Sequence, residues 1–266
     1  MIPKVVHYCW FGGNQLPDDA KKCIESWRKF FPEYEIKEWN ERNFDVNCCD
    51  YVKEAYAAQK WAFVSDYARF WILYHEGGLY FDTDVEVIKD MSDIIAKGAF
   101  MGCETDNKCA PGLGLGANPG LGLGANPGLG LGANPGLGLG ANPGLGLYKE
   151  ILDYYEKIHF FIEGNTTETV VTHTSKILKS HGWVGNGEIE QIEGVTIYPP
   201  EYFCPMDYKT GKLDITPNTR SIHWYTASWQ SSYSKAKTKL QQLLGPSLTS
   251  EIIDLKKKFK SFIHGK

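Results

Sequence analysis

The stretch WAFVSDYARFWILYHEGGLYFDTDVEV, residues 61–87, constrains the fold most: a helical run that is apolar nearly all round passes directly into an apolar extended segment. Gly77-Gly78 suits a helix C-cap turning sharply into extended chain. Beyond it, alternation places Leu79, Phe81, Thr83, Val85 and Val87 on one side and Tyr80, Asp82, Asp84 and Glu86 on the other. Aspartate is a poor strand residue and like charges on one face repel, so the pattern calls for a compensating cation. The apolar residues on both flanks predict strand, not turn, through the acids.

The chain upstream repeats this grammar. PKVVHYCW reads as a short buried strand ended by the turn signal FGGN. LPDDAKKCIESWRKFF starts as a helix does, with Pro17 and two acids in the first turn, and spaces Ile24, Trp27 and Phe31 along one face. YEIKEW is a second strand, and YVKEAYAAQ a helix before the apolar one. Strand, helix, strand, helix, strand predicts an α/β fold with a mainly parallel sheet, whose ligands sit at the carboxyl ends of the strands. At 266 residues, 42% of them hydrophobic, the chain can bury a core as one domain or as a core with a small appendage.

Charge and cysteine usage narrow the class. A net charge of -4 offers nucleic acid no general attraction. Seven cysteines without a CxxC pair argue against a disulfide framework and a zinc site, so a reducing cytoplasm is the simplest compartment. MIPKVVHYCW has no long apolar core, and no run reaches the roughly 18–20 apolar residues that span a bilayer. The expectation is a chain neither secreted by a classical signal nor membrane-spanning.

Between Pro111 and Gly146 the unit PGLGLGAN occurs four times without a difference, and a fifth copy begins as PGLGLY. Asn-Pro-Gly favours a turn and GLGLG could extend, so a small meander is one reading. A flexible excursion is the favoured one, because glycine carries a high ordering entropy. LYKEILDYYEKIHFF and ETVVTHTSKILKSHG then read as helices, GVTIYPPEYF and TRSIHWYTASW as strands or extended loops. The organisation expected is a domain over residues 1–245, with 111–146 as an insertion, followed by a basic amphipathic helix over 246–266. That last helix sets Ile252, Ile253, Phe259, Phe262 and Ile263 against lysines 256–258 and 260. It could lie on an anionic membrane surface or be a solvated terminal helix packed by its apolar side.

Asp82 and Asp84 are the first candidates for chemistry. Two positions along a strand span about 6.6–7 Å, close enough for two carboxylates to serve one hydrated divalent ion. Mn2+ or Mg2+ prefers oxygen ligands and commonly shares its coordination sphere with substrate phosphates, which suggests a diphosphate-bearing substrate. The preceding helix adds Ser65, Asp66 and Arg69 at spacings of three and four, so they project from neighbouring positions. An Asp-Arg pair could simply brace the core; buried pairs are weak stability devices, which favours a ligand-facing role.

IPKVVHYCWFGG, CIESWRKFFPEYEIKEWN, the 61–87 stretch and IHWYTASW, in this order, resemble glycosyltransferase family 32, and more distantly the glucosyltransferase domain of large clostridial toxins. The resemblance covers nearly the whole chain except the repeat and the final helix. It implies a nucleotide-sugar-binding fold of the GT-A type and retaining transfer of a hexose from a UDP- or GDP-sugar to a saccharide acceptor, one candidate being lipid-linked, in surface polysaccharide synthesis. By position, Trp10 would stack on the base, Ser65 and Arg69 would contact the nucleotide-sugar, Asp66 would hold sugar or ribose hydroxyls and Tyr80 would line the pocket. Asp82 and Asp84 would bind metal. Ser228 and Trp229 would contact the diphosphate, although they are adjacent here and separated by one residue in the toxins. His223 resembles a histidine near the metal in related retaining enzymes; between Ile222 and Trp224 it could equally be a satisfied core residue. A single glycine-rich segment in the family at the repeat's position implies that the extra copies lengthen a loop on the acceptor side without touching the donor site. The implied compartment is cytoplasmic, with the terminal helix as a peripheral contact at the inner face of the membrane.

Two other classes compete. A dinucleotide-binding oxidoreductase requires G-x-G-x-x-G, and the glycines of the repeat never fall at those offsets. A calcium-dependent carbohydrate-binding repeat protein would explain the acids and the glycine array, but not buried Ser65, Asp66 and Arg69.

Overall fold

The computed structural model describes residues 1–105, 131–160, 168–208 and 210–226. Ser228, Trp229, the terminal segment 246–266 and the repeat before residue 131 therefore lie outside the described residues.

The elements are β1 (Val5–Cys9), α1 (Asp18–Phe30), β2 (Glu35–Trp39), α2 (Asp50–Ala57), α3 (Trp61–His75), β3 (Gly78–Tyr80), β4 (Val85–Val87), α4 (Ser92–Ile95), β5 (Phe100–Thr105), β6 (Leu131–Ala133), β7 (Leu139–Ala141), α5 (Gly146–Tyr155), α6 (Val170–Ser180), β8 (Glu190–Ile192), β9 (Val195–Tyr198), α7 (Pro200–Phe203) and β10 (Ser221–His223). The main sheet runs β2-β1-β3-β7-β5-β9-β8, with β6 paired to β5 off this path. β1 is parallel to β2 and β3, β7 is antiparallel to β3 and β5, β9 is parallel to β5, and β8 is antiparallel to β9. Five strands of that path thus point one way and only β7 and β8 reverse, which gives the α/β, mostly parallel sheet that the sequence grammar predicts. The expected carboxyl edge is the common end of β1, β3 and β5.

Local chemistry explains the flanking helices. α1 begins after Pro17 with Asp18 and Asp19 in its first turn, and its buried Trp27 donates its indole N–H to the Val85 carbonyl at 2.8 Å. α3 is buried along most of its length, including Ser65, Asp66 and Arg69, as an apolar-all-round helix must be. It closes as expected: the Gly77 N–H donates to Leu73 O, and Gly77 and Gly78 take φ +67° and +99°, which favour glycine.

Two expectations need correcting. The 77–87 stretch is not one strand. β3 belongs to the main sheet and β4 to a separate two-stranded sheet with β10, and between them the Val85 N–H donates to Asp82 O across a turn. The apolar alternation nevertheless survives: Leu79, Phe81, Val85 and Val87 share one core, with Tyr80 in the other. Nor are residues 131–146 a flexible excursion. Leu131–Ala133 and Leu139–Ala141, the same triplet of consecutive repeat copies, are β6 and β7, and β7 fills the slot between β3 and β5. Backbone pairing in that slot outweighs the ordering entropy of glycine, and small residues fit it: a Cβ on Gly140 would stand 2.3 Å from the Phe100 ring.

Candidate functional site

The carboxyl ends of β1 and β3, the C-terminal part of β5 and the segment following β10 converge on the Asp82–Val85 turn. Around it stand two linked clusters. In the first, Arg69 is almost wholly buried and its Nη2 lies 3.0 Å from Asp66 Oδ1 and 3.3 Å from Asp82 Oδ1. The Arg69 Nε–H donates to Ser65 O at 2.9 Å, and its guanidinium lies 5.1 Å from the centre of the Tyr80 ring. The Tyr80 hydroxyl donates to Asp82 Oδ1 at 3.0 Å. Ser65 turns its hydroxyl back to Trp61 O at 3.1 Å, within its own helix. Cys9, at the end of β1, sits beside this cluster: burial pushes its thiol up to about 12, against the opposing influence of Arg69.

In the second cluster, Asp84 Oδ1 is 3.2 Å from His223 Nε2, and Asp84 Oδ2 accepts from the Thr226 backbone N–H at 2.9 Å and its hydroxyl at 3.2 Å. The His223 ring lies against Tyr225, with centroids 4.1 Å apart, and its Nδ1 is buried without a hydrogen-bond partner. Glu104, Cys204 and His223 offer ligand atoms within 4.8 Å of one another. The Tyr225 hydroxyl lies 2.9 Å from Cys204 Sγ and donates to Glu104 Oε2 at 3.2 Å.

The electrostatics of the two clusters differ. Burial raises the Asp66 carboxyl to about 7, only partly opposed by Arg69. Asp84 is half-buried, and there the His223 charge and the Thr226 hydrogen bonds outweigh desolvation and hold its carboxyl below the usual range. For His223, burial disfavours the cation, and Asp84 overcomes this to raise its pKa well above the ordinary value. Arg69 remains a cation for the same reason, with Asp82 as its strongest partner.

Of the residues singled out in the sequence, Ser65, Asp66, Arg69, Tyr80 and Asp82 form the first cluster, and Asp84 and His223 the core of the second. Trp10 follows β1 at the same end of the sheet, half-buried, and its indole N–H donates to Asn14 O at 2.7 Å. Sequence reasoning missed Cys9, Glu104, Cys204, Tyr225 and Thr226. It also missed the repeat's own contribution. The Asp82 N–H donates to Gly136 O at 2.9 Å, and buried Asn134 donates through Nδ2 to Glu104 Oε2 at 2.8 Å. The last part of the repeat, residues 131–146, therefore touches Asp82 directly, whereas the copies before residue 131, expected to lengthen a loop away from the donor site, lie outside the described residues.

Comparison with known proteins finds similarity over part of the chain. Residues 17–101 match the family model described as glycosyltransferase sugar-binding region containing DXD motif, and Asp82-Thr83-Asp84 is that motif here. This part of the chain is similar to the sugar-binding region of DXD glycosyltransferases. Among curated proteins, an uncharacterised glycosyltransferase of Acanthamoeba polyphaga mimivirus is 30% identical over 110 residues, 38% of this chain and 42% of its own. Inositol phosphoceramide mannosyltransferase 1 of Schizosaccharomyces pombe is 29% identical over 111 residues, 38% of this chain and 33% of its own. The chain thus spans less than half the length of these curated relatives. Among solved structures, the PaToxG glycosyltransferase has a TM-score of 0.43 at 15% identity, over 67% of this chain and 69% of its own. A glycosyltransferase involved in glycosylation of the major capsid of PBCV-1 has a TM-score of 0.44 at 12% identity, over 89% of this chain and 100% of its own. Among the described residues, no helix is long and apolar enough to cross a membrane.

Proposed function

We propose that this DXD glycosyltransferase region binds a nucleotide-sugar through its diphosphate and a divalent cation, and transfers a hexose with retention to a saccharide acceptor. The observation that carries the reading is the turn that sets Asp82 and Asp84 at the carboxyl edge of the sheet, each backed by a different buried cation, Arg69 and His223. The donor set suits Mn2+ or Mg2+: both acids offer hard oxygen atoms, and Asp82 is only half-buried, which leaves its carboxylate reachable by a ligand. Asp84 and Asp82 would hold the ion. His223 is a candidate third ligand, since its neutral ring can coordinate once the proton shared with Asp84 is released. Such an ion neutralises charge that grows on a departing diphosphate.

The chain's own residues would do the rest. Arg69 adds a fixed positive charge behind Asp82, where it costs no reorganisation as the bond to the sugar breaks. Tyr80 orients Asp82 through its hydroxyl. Trp10 offers an indole face for a base, and Asp66 would accept from sugar or ribose hydroxyls. Ser228 and Trp229 remain proposed diphosphate contacts on sequence alone. The site acids Asp66, Asp82 and Asp84 all face protein cations, which supports front-face retention, with the leaving phosphate helping to deprotonate the acceptor, over attack by a carboxylate nucleophile. A cytoplasmic setting, a lipid-linked acceptor, a role in surface polysaccharide synthesis and peripheral membrane contact through residues 246–266 belong to the same proposal. Purified protein assayed against a panel of UDP- and GDP-hexoses tests it. Manganese-dependent release of nucleotide is expected with at least one donor; calcium-only glycan binding without turnover would instead favour the carbohydrate-binding class.

A further inference from the structure

The repeat places the same sequence, Asn-Pro-Gly, in two neighbouring copies that do different work. At Asn142-Pro143-Gly144 the chain turns into α5: Gly144 takes φ +78°, its N–H donates to Tyr74 O at 2.7 Å, and Pro143 packs where a Cβ on Gly77 would stand 2.7 Å away. At Asn134-Pro135-Gly136 the chain instead reaches into the DXD site. β5 pairs with β7 through Met101↔Leu139 and with β6 through Cys103↔Ala133, so residues 134–138 must pass opposite Gly102 alone. That surplus forms a buried loop.

The loop is closely fixed. The Asn134 N–H donates to Gly102 O at 3.0 Å, and Asn134 Oδ1 accepts from the Gly136 N–H at 2.9 Å, closing a side-chain turn two residues long. Asn134 Nδ2 reaches Glu104 Oε2, and Leu137 is buried in the core. Gly136 O accepts the Asp82 N–H. A Cβ at Gly136 would fall 1.9 Å from Asp82 Oδ2 and 3.0 Å from Arg69 Nη1, so a side chain there must displace the first DXD acid from its cation.

We propose that Asn134 and Gly136 are positioning residues for Asp82, and that the site draws this loop from parts of two consecutive repeat copies, residues 131–142, leaving the earlier copies surplus to it. The proposal rests on the donor-site reading above. The four copies are identical, so deleting any one yields the same polypeptide. The residues joined by the surplus, Thr105 and Leu131, are already paired across β5 and β6. Whole copies can therefore be lost without a change of register at the site, and the chain-closure cost of the connection varies only slowly with its length.

Four variants of the full chain test this: Gly136→Ala, Asn134→Ala, Gly144→Ala and a deletion of residues 111–126. Mn2+ affinity is read by electron paramagnetic resonance titration with and without a nucleoside diphosphate, beside the thermal midpoint and amide exchange at Asp82. Gly136→Ala and Asn134→Ala should weaken Mn2+ binding by roughly 10- to 100-fold, the range for residues that orient metal ligands. Gly144→Ala should lower the midpoint at unchanged affinity, and the deletion should keep affinity within about threefold of wild type. Wild-type affinity in both loop variants, or its loss on deletion, overturns the proposal. Should the wild-type protein bind no Mn2+ at all, the donor reading fails by itself, and exchange decides the positioning role: faster exchange at Asp82 in Gly136→Ala supports it, and unchanged exchange overturns it.

Discussion

Asp82 and Asp84 are two residues apart and answer to different halves of the molecule. Asp82 ends the main sheet's β3 and is held by Arg69 and Tyr80, its near neighbours in sequence, and by the repeat. Asp84 opens the turn into β4 and is held by His223 and Thr226, the latter 142 residues further along the chain. The Trp224 N–H also donates to Asp84 O at 3.0 Å. The motif is thus a joint: one acid belongs to the α3–β3 layer and the other to the small sheet of β4 and β10. The pair comes together only when both halves fold. An acid held by fixed partners is a preorganised one, and preorganisation is what electrostatic catalysis draws on.

Breaking the joint on the Asp84 side should have the largest effect on chemistry. Asp84→Asn should abolish transfer, a loss of about 10³-fold or more, while the circular dichroism spectrum and β4–β10 pairing persist. Wild-type turnover in that variant across a range of manganese concentrations would remove the metal-binding role. On the Asp82 side the dominant cost should be stability: Arg69→Met leaves Asp66 and Asp82 without their shared cation and should cost about 3–5 kcal/mol in denaturant unfolding. A loss below 1 kcal/mol would show that the pair is solvated rather than braced.

A third test separates the clusters by pH. Because the folded state holds Asp66 at about 7, above its ordinary value of 3.8, it binds that proton more tightly than the unfolded chain does. Stability from this group is therefore highest at low pH and falls as pH rises from about 4 through 7. Thermal melts of Asp66→Asn should lack that decline. Parallel profiles for the two proteins would contradict the assignment. The smallest effect is expected at the edge of the Asp84 cluster, where Thr226→Val removes the hydroxyl bond and leaves the backbone one, costing about 1 kcal/mol.

The same comparison shows what the sequence could disclose. α1, α3 and the strands at 5–9 and 35–39 were legible because period and capping are local: Pro17 with two acids, and Gly77-Gly78 after an apolar run, each carry their own structural instruction. Leu79, Phe81, Val85 and Val87 were legible as one face for the same reason. The break between β3 and β4 was not, because the turn at Asp82 is held by residues remote in sequence: Gly136, Trp224 and Thr226. Identical repeat copies carry no local mark of which one pairs, so β6 and β7 depend on the vacant edge that β3 and β5 present. Asn134 and Gly136 were missed on that account, although Asn-Pro-Gly marks both turns. Thr226 and Tyr225 lay within the TRSIHWYTASW block but had no signal separating them from its other polar residues.

Crystals grown with Mn2+ and a nucleoside diphosphate give the most direct test, since manganese is located by its anomalous scattering. The account predicts a peak at oxygen-ligand distance, about 2.1–2.2 Å for a small hard cation, from carboxylate oxygens of Asp82 and Asp84, with the diphosphate beside it. A nucleotide bound elsewhere, with both acids still engaged only by Arg69, Tyr80, His223 and Thr226, would contradict it.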